Sequence, residues 1–401
     1  MTKGDGCIAV HNAGSSSIKF AIYEPGADGP LLLRGQVERI GQRPRLEARD
    51  AAGKVLVEHD LADAKADHEA ATTEIIALRR QLVGDLSVLA VGHRVVHGGT
   101  EFSAPVLIDD KVLPKLAELV PLAPLHQPHN LAPIRAIARA VPGLPQVACF
   151  DTAFHRIQPP LAQAFALPRE ITAAGVRRYG FHGLSYDYIV TRLEETEPAL
   201  ARARLVIAHL GNGASLCAVR DGKSVASTMG FTAVDGLMMG TRTGAIDPGV
   251  LLYLMQERGL DAAGIEDLLY RRSGLLGVSG IASDMRTLRQ SKAPEAREAI
   301  ELFVYRIVRE IGSMAAALGG VDALVFTAGI GEHDAATRAE VVAGCGWLGI
   351  ALDEARNDTG KGRISSDSSR APAWVVPTDE ERMISRYTSS LTASLPEGRQ
   401  R

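Results

Sequence analysis

The sequence predicts an α/β protein built from two related halves, and three observations lead there. The chain has 401 residues, enough for two or three domains at roughly 150 residues each. Short, nearly all-apolar runs alternate with stretches of helical periodicity, as expected of strands buried on both faces and covered by helices. The segment from Ile8 to Ile18 (IAVHNAGSSSI) resembles that from Ile207 to Leu216 (IAHLGNGASL), half a chain length later. Each reads as strand, Gly/Asn/Ser turn, strand. A duplicated core that holds a ligand in the cleft between its halves follows from that repeat.

Taken in order, the apolar and β-branched runs place strands at Cys7–Val10, Ile18–Tyr23, Val88–Val96, Gln146–Phe150, Leu205–Leu210, Ser215–Val219, Ala323–Thr327 and Ala373–Val376. Helical spacing marks Glu69–Leu82, Leu131–Ala140, Pro248–Arg258, Ala296–Leu318 and Ala335–Val342, and Pro248 suits a first helical turn. The polar, glycine-containing segment Glu24–Asp67 suits a meander of exposed strands. The tail after Ser389 reads as frayed or as a short helix.

Composition narrows the function. Apolar residues make up 46% and charged residues 23%, which argues against wholesale disorder. The net charge of −3 and the lack of a basic stripe argue against a nucleic-acid binder. No apolar run approaches the ~18 residues of a membrane-crossing helix, and no signal-like segment opens the chain, so a cytoplasmic protein is expected. Cys7, Cys149, Cys217 and Cys345 are scattered and suggest buried thiols, neither a disulfide framework nor a zinc site.

Several segments carry chemistry. Gly222-Lys223-Ser224 mimics the end of a P-loop, but Cys217 stands where that motif needs its first glycine, and Asp221-Gly222 reads better as a hairpin turn. The turn after the first strand holds Asn12, Ser15, Ser17 and Lys19: backbone N–H groups and hydroxyls for phosphate oxygens, a cation, and an amide within reach of a hydrated metal. His209, Leu210, Gly211, Asn212 and Gly213 repeat the device in the second half. Gly329, Ile330, Gly331, Glu332 and His333 form a glycine-rich strand-to-helix turn. Arg94, inside an apolar strand, and Arg242, between glycines, suit a grip on carboxylate or phosphate. Asp151 ends an apolar strand, His182 sits between an aromatic residue and a glycine, and Asp379-Glu380-Glu381 places acids after the last strong strand.

Taken together, NAGSSSIK at 12–19, GHRVVHGG at 92–99, FDTAFH at 150–155, RYGFHG at 178–183, AHLGNGAS at 208–215, GLMMGTR at 236–242, FTAGIGE at 326–332 and PTDEE at 377–381 resemble the acetate kinase family, in family order over nearly the whole chain. The resemblance implies two duplicated ribonuclease-H-like (actin-like ATPase) domains with an active-site cleft between them. They would be an N-terminal domain of residues 1–150 plus 381–401 and a nucleotide-binding domain of residues 151–380. It implies reversible transfer of the γ-phosphoryl group of ATP to acetate, giving acetyl phosphate and ADP, with Mg²⁺, or Mn²⁺ in its place, and a homodimer. Position by position it implies Asn12 and Glu380 at the metal, Arg94 on the substrate carboxylate, and Val96, Leu125, Phe181 and Ala233 around the acyl methyl. Asp151, His182 and Arg242 fall at catalytic positions. Lys19, the turn from His209 to Gly213, Asp284-Met285-Arg286 and Gly329 to His333 fall at nucleotide contacts.

The chain departs from the family pattern at Leu184 and Tyr186, where threonine and histidine are usual, at Ala233 in place of a proline, at Ala245 in place of an acid, and at His333 and Asp379 in place of asparagines. Ala233 loosens the expected methyl pocket, and one methylene is worth only about 1–3 kcal/mol of discrimination. Two alternatives therefore stay open: a propionate or butyrate kinase with the same machinery, and an actin-like ATPase without an acyl acceptor.

Overall fold

A computed structural model describes residues 6–84, 86–393 and 395. The chain forms two compact units, residues 1–154 with 379–401, and residues 155–378.

Unit 1 is organised on an eight-stranded sheet. Its strands are β1 (Gly6–Ala13), β2 (Ile18–Tyr23), β3 (Leu31–Glu38), β4 (Arg45–Asp50), β5 (Val55–Asp60), β6 (Ser87–Val95), β7 (Val106–Leu107) and β8 (Gln146–Phe150). They lie in the order β5-β4-β3-β2-β1-β6-β8-β7. From β1 to β5 the chain runs as antiparallel neighbours, the meander expected over 24–67, while β1, β6 and β8 are parallel. Helices α1 (His68–Val83) and α2 (Gln127–Ala140) cover one face. There Ala71, Ile75 and Ile137 join Ala9, Ala13 and Val91 in a single core. Asp67 caps α1, its carboxylate accepting from the N–H groups of Glu69 and Ala70.

The C-terminal helix (Glu380–Thr392) packs on β6 at Gly92, where a Cβ would lie 2.2 Å from Thr388 Oγ1 and 2.5 Å from Ile384 Cγ2. Only glycine allows that approach. The helix continues through Ser389 to Thr392, whose hydroxyl donates to Thr388 O, so of the two expectations for the tail the helical one holds as far as Thr392; residues 394 and 396–401 lie outside the described residues.

Unit 2 repeats the plan. Strands β9 (Arg204–Leu210), β10 (Ala214–Arg220), β11 (Lys223–Ser227), β12 (Ala323–Thr327), β13 (Gly362–Arg363) and β14 (Ala373–Val375) lie in the order β11-β10-β9-β12-β14-β13. The five strands β3-β2-β1-β6-β8 of unit 1 and β11-β10-β9-β12-β14 of unit 2 share both order and direction: two antiparallel hairpin partners, then two parallel crossovers. The internal repeat read from the sequence is therefore the β1–β2 and β9–β10 hairpins of a duplicated fold. The Asp221-Gly222 dipeptide is the turn between β10 and β11, with φ of +50° and +70°, as a two-residue hairpin demands.

The principal helices of unit 2 are α3 (Gly183–Thr196), α4 (Pro248–Arg258), α5 (Met285–Gln290), α6 (Pro294–Leu318), α7 (Ala328–His333) and α8 (Ala335–Gly344). Helix α4 is bounded as its sequence demands, with Asp247 accepting from Gly249 N–H, Pro248 at its first turn, and Gly259 left-handed after its end. Helix α3 has no counterpart among the sequence expectations, and residues 328–333 form a helix where a turn is expected.

Two boundary expectations change. The units divide after Phe154 and after Thr378, so Asp151 and Glu380 belong to unit 1 and not to the second domain. The cause is local. Asp151 pairs with Arg94 on β6, and Glu380 opens the helix seated on β1 and β6. Among the described residues no helix is long and apolar enough to cross a membrane, and all four cysteines are buried thiols outside any disulfide.

Burial pushes the imidazole of His11 in unit 1 and that of His155 in unit 2 down to about 4, and that of His93 in unit 1 to about 3. Each takes a proton near pH 6.5 when unfolded but stays neutral in the fold until far lower pH. The stability they hold above pH 6.5 is thus lost as pH falls through that window, by about 1 kcal/mol per pH unit for each. The thermal midpoint is expected to drop steadily between pH 6.5 and about 4; a flat midpoint across that range contradicts the assignment.

Candidate active site

In unit 1 the candidate residues gather where β1, β6 and β8 end. Asp151 follows β8 and is 1% exposed. Its two carboxylate oxygens accept from Arg94 Nε at 3.0 Å each, and Oδ2 also accepts from Nη2 at 2.5 Å. Burial pushes the Asp151 carboxyl up, and the Arg94 guanidinium opposes it. Burial likewise works against the charge on Arg94, but Asp151 outweighs it and the guanidinium is held more firmly protonated than usual. A fork-to-fork pair of this kind keeps both groups charged. Removing either partner strands the other charge.

Next to the pair, the buried Asn12 at the end of β1 donates through Nδ2 to Glu380 Oε2 at 3.0 Å and to Glu381 Oε1 at 2.8 Å. Burial pushes the Glu381 carboxyl up, while Lys19 pulls it down. Asn12 Oδ1 and two half-buried glutamates form a hard oxygen donor set that fits a magnesium-like cation. Among the described residues no cluster of three His, Cys, Asp or Glu side chains stands ready to hold a metal by itself. A cation here must therefore draw its remaining oxygens from water and a ligand, as Mg²⁺ with bound phosphates does. On the β1–β2 turn Ser15 is exposed and Ser17 half-buried, and Lys19, on β2 opposite Asn12, is exposed. Val96 is buried and Leu125 half-buried. Val96 N–H is fixed by Asn130 Oδ1 at 2.9 Å, and Asn130 Nδ2 in turn donates to Ala13 O at 2.7 Å.

In unit 2 the centre is His182. It caps α3 in a left-handed backbone conformation, φ +58° and ψ +23°, which costs a non-glycine residue energy and is often found at functional positions. Its ring stacks on that of His209, with centroids 4.2 Å apart. Its Nδ1 lies 2.8 Å from Ser215 Oγ, which also meets the hydroxyl of the fully buried Tyr186. Burial pushes the Tyr186 hydroxyl well above its ordinary range, so it keeps its proton. Ser215 Oγ thus joins the Tyr186 hydroxyl to His182 Nδ1 in one hydrogen-bonded chain. His155 supports the arrangement from behind, its Nε2–H donating to Phe181 O at 2.9 Å while Nδ1 accepts from Ser224.

Gly213 lets this group close up. A Cβ there would lie 3.1 Å from His182 Nε2 and 3.9 Å from Arg242 Nη1, so the imidazole, the guanidinium and the hairpin turn meet at one point. Arg242 Nη1 donates to Ala233 O at 3.1 Å, which ties the arginine to the loop of Ala233. Gly240 N–H donates to Asn212 O at 3.2 Å and brings the Arg242 loop onto the same turn.

The remaining unit 2 candidates divide by what their side chains do. Leu210 and Met285 point into the core, His209 Nδ1 is engaged by Ser185 Oγ at 2.8 Å, and Asp284 caps α5 by accepting from Thr287 N–H. Glu332 Oε1 accepts from the N–H groups of Ala328 and Thr378 at 2.8 and 3.0 Å, so its carboxylate braces the backbone. Arg286, Gly329 and His333 are exposed. Ala328, the first residue of α7, has φ +65°, a second left-handed non-glycine position in this unit's site.

The structure thus gathers Arg94, Asp151, Asn12 and Glu380 in unit 1, and His182, His209, Gly213 and Arg242 in unit 2. It divides the four apolar candidates, with Val96 and Leu125 in unit 1 and Phe181 and Ala233 in unit 2. Sequence reasoning named Glu381 within the acidic run but gave it no role of its own, and it missed the roles of Ser215, Tyr186 and Asn130. The replacement of a family histidine by Tyr186 was the one available signal for the hydroxyl pair.

Comparison with known proteins identifies the family. Residues 7–386 match the Acetokinase family. The chain is 52% identical over 396 residues to an acetate kinase of Methylocella silvestris, covering 96% of this chain and 98% of that one. It is 54% identical over 387 residues to an acetate kinase of Rhodopseudomonas palustris, covering 95% and 97%. Among solved structures it is similar to an acetate kinase of Porphyromonas gingivalis (40% identity, TM-score 0.86, covering 96% and 99%). It is also similar to a propionate kinase of Francisella tularensis (36% identity, TM-score 0.89, covering 96% and 100%).

Asp151→Asn, which keeps the shape and removes the charge, is expected to lower the unfolding free energy by about 3 kcal/mol in urea titrations, because it leaves a buried guanidinium unpaired. A loss below about 1 kcal/mol contradicts the pairing as described.

Proposed function

The chain belongs to the acetokinase family, and from that premise we propose that it is an acetate kinase, transferring the γ-phosphoryl group of ATP reversibly and directly to acetate to give acetyl phosphate and ADP. The observation that carries this reading is the charge arrangement: a buried guanidinium locked on a carboxylate in unit 1, and a second guanidinium beside an imidazole in unit 2. An ATPase without an acyl acceptor needs no such pair of arginines, so that alternative is set aside.

The chemistry is mostly positioning and charge compensation. The acetate oxygen is already a nucleophile near neutral pH, so no strong base is required. The obstacle is repulsion between two anions. Arg94 binds the acetate carboxylate, and Asp151 fixes Arg94 while spending Nε and Nη2. Asp151 acts as a positioning residue, not as a base. The family likeness assigns the acyl methyl group to Val96 and Leu125 of unit 1 and to Phe181 and Ala233 of unit 2. His182 Nε2–H and Arg242 donate to the equatorial oxygens of the transferring phosphoryl group, a contribution that grows as charge redistributes in the transition state. The Tyr186–Ser215 hydroxyl chain holds the His182 ring at Nδ1.

ATP is held by backbone N–H groups of the turn from His209 to Gly213, by the stretch from Gly329 to His333, by Asp284-Met285-Arg286, and by Ser15, Ser17 and Lys19. Because the side chains of Leu210, Met285 and Glu332 are committed elsewhere, those residues contribute backbone. Mg²⁺, or Mn²⁺, would be held at Asn12 and Glu380 with Glu381 beside them, and supplies charge neutralisation for the phosphates. The protein acts in the cytoplasm on these small molecules, with no nucleic-acid or membrane partner. A homodimer is supported by helix α4, which buries no residue within the chain and leaves Leu252 and Tyr253 55% and 50% exposed.

Propionate is the second substrate to weigh, because Ala233 leaves room where a proline ring is usual. Hydroxamate trapping with ATP and Mg²⁺ is expected to show acyl phosphate formation with acetate preferred over propionate and butyrate. Arg94→Ala and Arg242→Ala are each expected to lose roughly 10²–10³-fold in kcat/KM. No turnover with any of the three acids removes the proposal. A tenfold preference for propionate replaces the acid, and losses under tenfold in both variants overturn the assigned roles.

A further inference from the structure

Unit 1 contains a cavity of about 260 Å³ that phosphoryl transfer does not use. It lies where α1 and α2 cover the sheet, and apolar side chains such as Ile75, Val88 and Ile137 form its wall. Two features set it apart from a packing defect. His11 of β1 lines it while only 4% exposed, and its Nδ1 has no hydrogen-bond partner, although buried polar atoms are nearly always satisfied. Arg79 and Arg80, consecutive on α1, also line it. Arg79 donates to Leu86 O, and neither arginine has an ion pair among the described residues. An apolar cavity with a few convergent polar groups is the general form of a small-molecule site, and this volume falls just below the range that holds drug-sized ligands.

We infer that this cavity binds a small carboxylate amphiphile: its carboxylate rests on Arg79 and Arg80, its hydrocarbon body lies along Ile75, Val88 and Ile137, and a polar atom at its far end, where it has one, meets His11 Nδ1. The acid is longer than acetate, and the site is separate from Arg94. The inference stands on the cavity and its lining alone and does not depend on the reaction proposed above.

The experiment is isothermal titration of the full chain with octanoate, in saturating acetate and ADP so that the reaction's own acid and nucleotide sites are filled, with octanol as the neutral control. Octanoate is expected to bind once per chain and octanol at least about tenfold more weakly, since a hydrogen-bonded charge is worth that much. Arg80→Gln, at an exposed position, is expected to weaken octanoate about tenfold, and Val88→Phe, which fills the cavity, to abolish binding. Both variants keep the acetyl phosphate-forming activity of the parent chain. Absence of octanoate binding, equal binding of octanol, or binding unchanged in both variants overturns the inference. So does octanoate binding that appears only when acetate and ADP are omitted, which places the ligand in the reaction's acid site.

Discussion

The bidentate pair of Arg94 and Asp151 is the constraint on which the rest of unit 1 depends. A guanidinium inside an apolar strand is costly unless its charge is met, and a carboxylate at 1% exposure is equally so. Each makes the other tolerable, and together they fix an arginine at the end of β6 that the surrounding side chains alone would not hold. The helix seated on β6 adds a geometric requirement of its own: it brings Glu380 and Glu381 to Asn12 only because Gly92 lets it approach β6. The acidic run at 379–381 thus becomes part of unit 1, although the sequence separates it from Asn12 by most of the chain.

Unit 2 reaches a comparable end by different means. Its precision is stored in backbone strain, ring stacking and hydroxyl contacts. His182 is held left-handed at the mouth of α3, its ring lies flat on His209, and its Nδ1 is taken by Ser215 under the buried Tyr186. A strained conformation persists only where its neighbours over-determine it, and these contacts, with His155 behind Phe181, supply that. The result is an imidazole whose Nε2 faces Gly213 from one side while the Arg242 guanidinium faces it from another. The two units share a strand plan from one duplication, yet one carries a salt bridge where the other carries a histidine.

The sequence was most legible where a local rule decides the outcome. Ile18–Tyr23, Gln146–Phe150 and Ala323–Thr327 are strands over the expected residues because each is a short apolar run ended by a polar or glycine signal. Helix α4 is found to the residue because Asp247, Pro248 and Gly259 bound it. Helix α3 was illegible because its first residue follows a left-handed histidine with no capping side chain, so neither a capping box nor an acidic first turn announces it. The candidate site was legible as a set of segments and as a family likeness. Its pairings were not, since Arg94 and Asp151 are 57 residues apart, and Asn12 and Glu380 are 368 apart. Strand alternation says which face a side chain takes but not which partner crosses the sheet to meet it. Glu332 shows the converse: a residue in a glycine-rich turn that looks ready for a ligand, with its carboxylate committed to its own backbone.

The most direct measurement of the central claim is chemical rescue at the ion pair. With Arg94→Ala, Asp151 remains as a buried carboxylate facing an arginine-shaped gap, and free guanidinium added at millimolar concentration should occupy it. The account predicts that guanidinium restores turnover of the Arg94→Ala enzyme by about tenfold or more, and that the same addition does nothing for a variant carrying Asp151→Asn as well, since a charge-assisted pair is what holds the cation. Equal rescue with and without the Asp151 carboxylate, or no rescue of a folded Arg94→Ala enzyme, would contradict it.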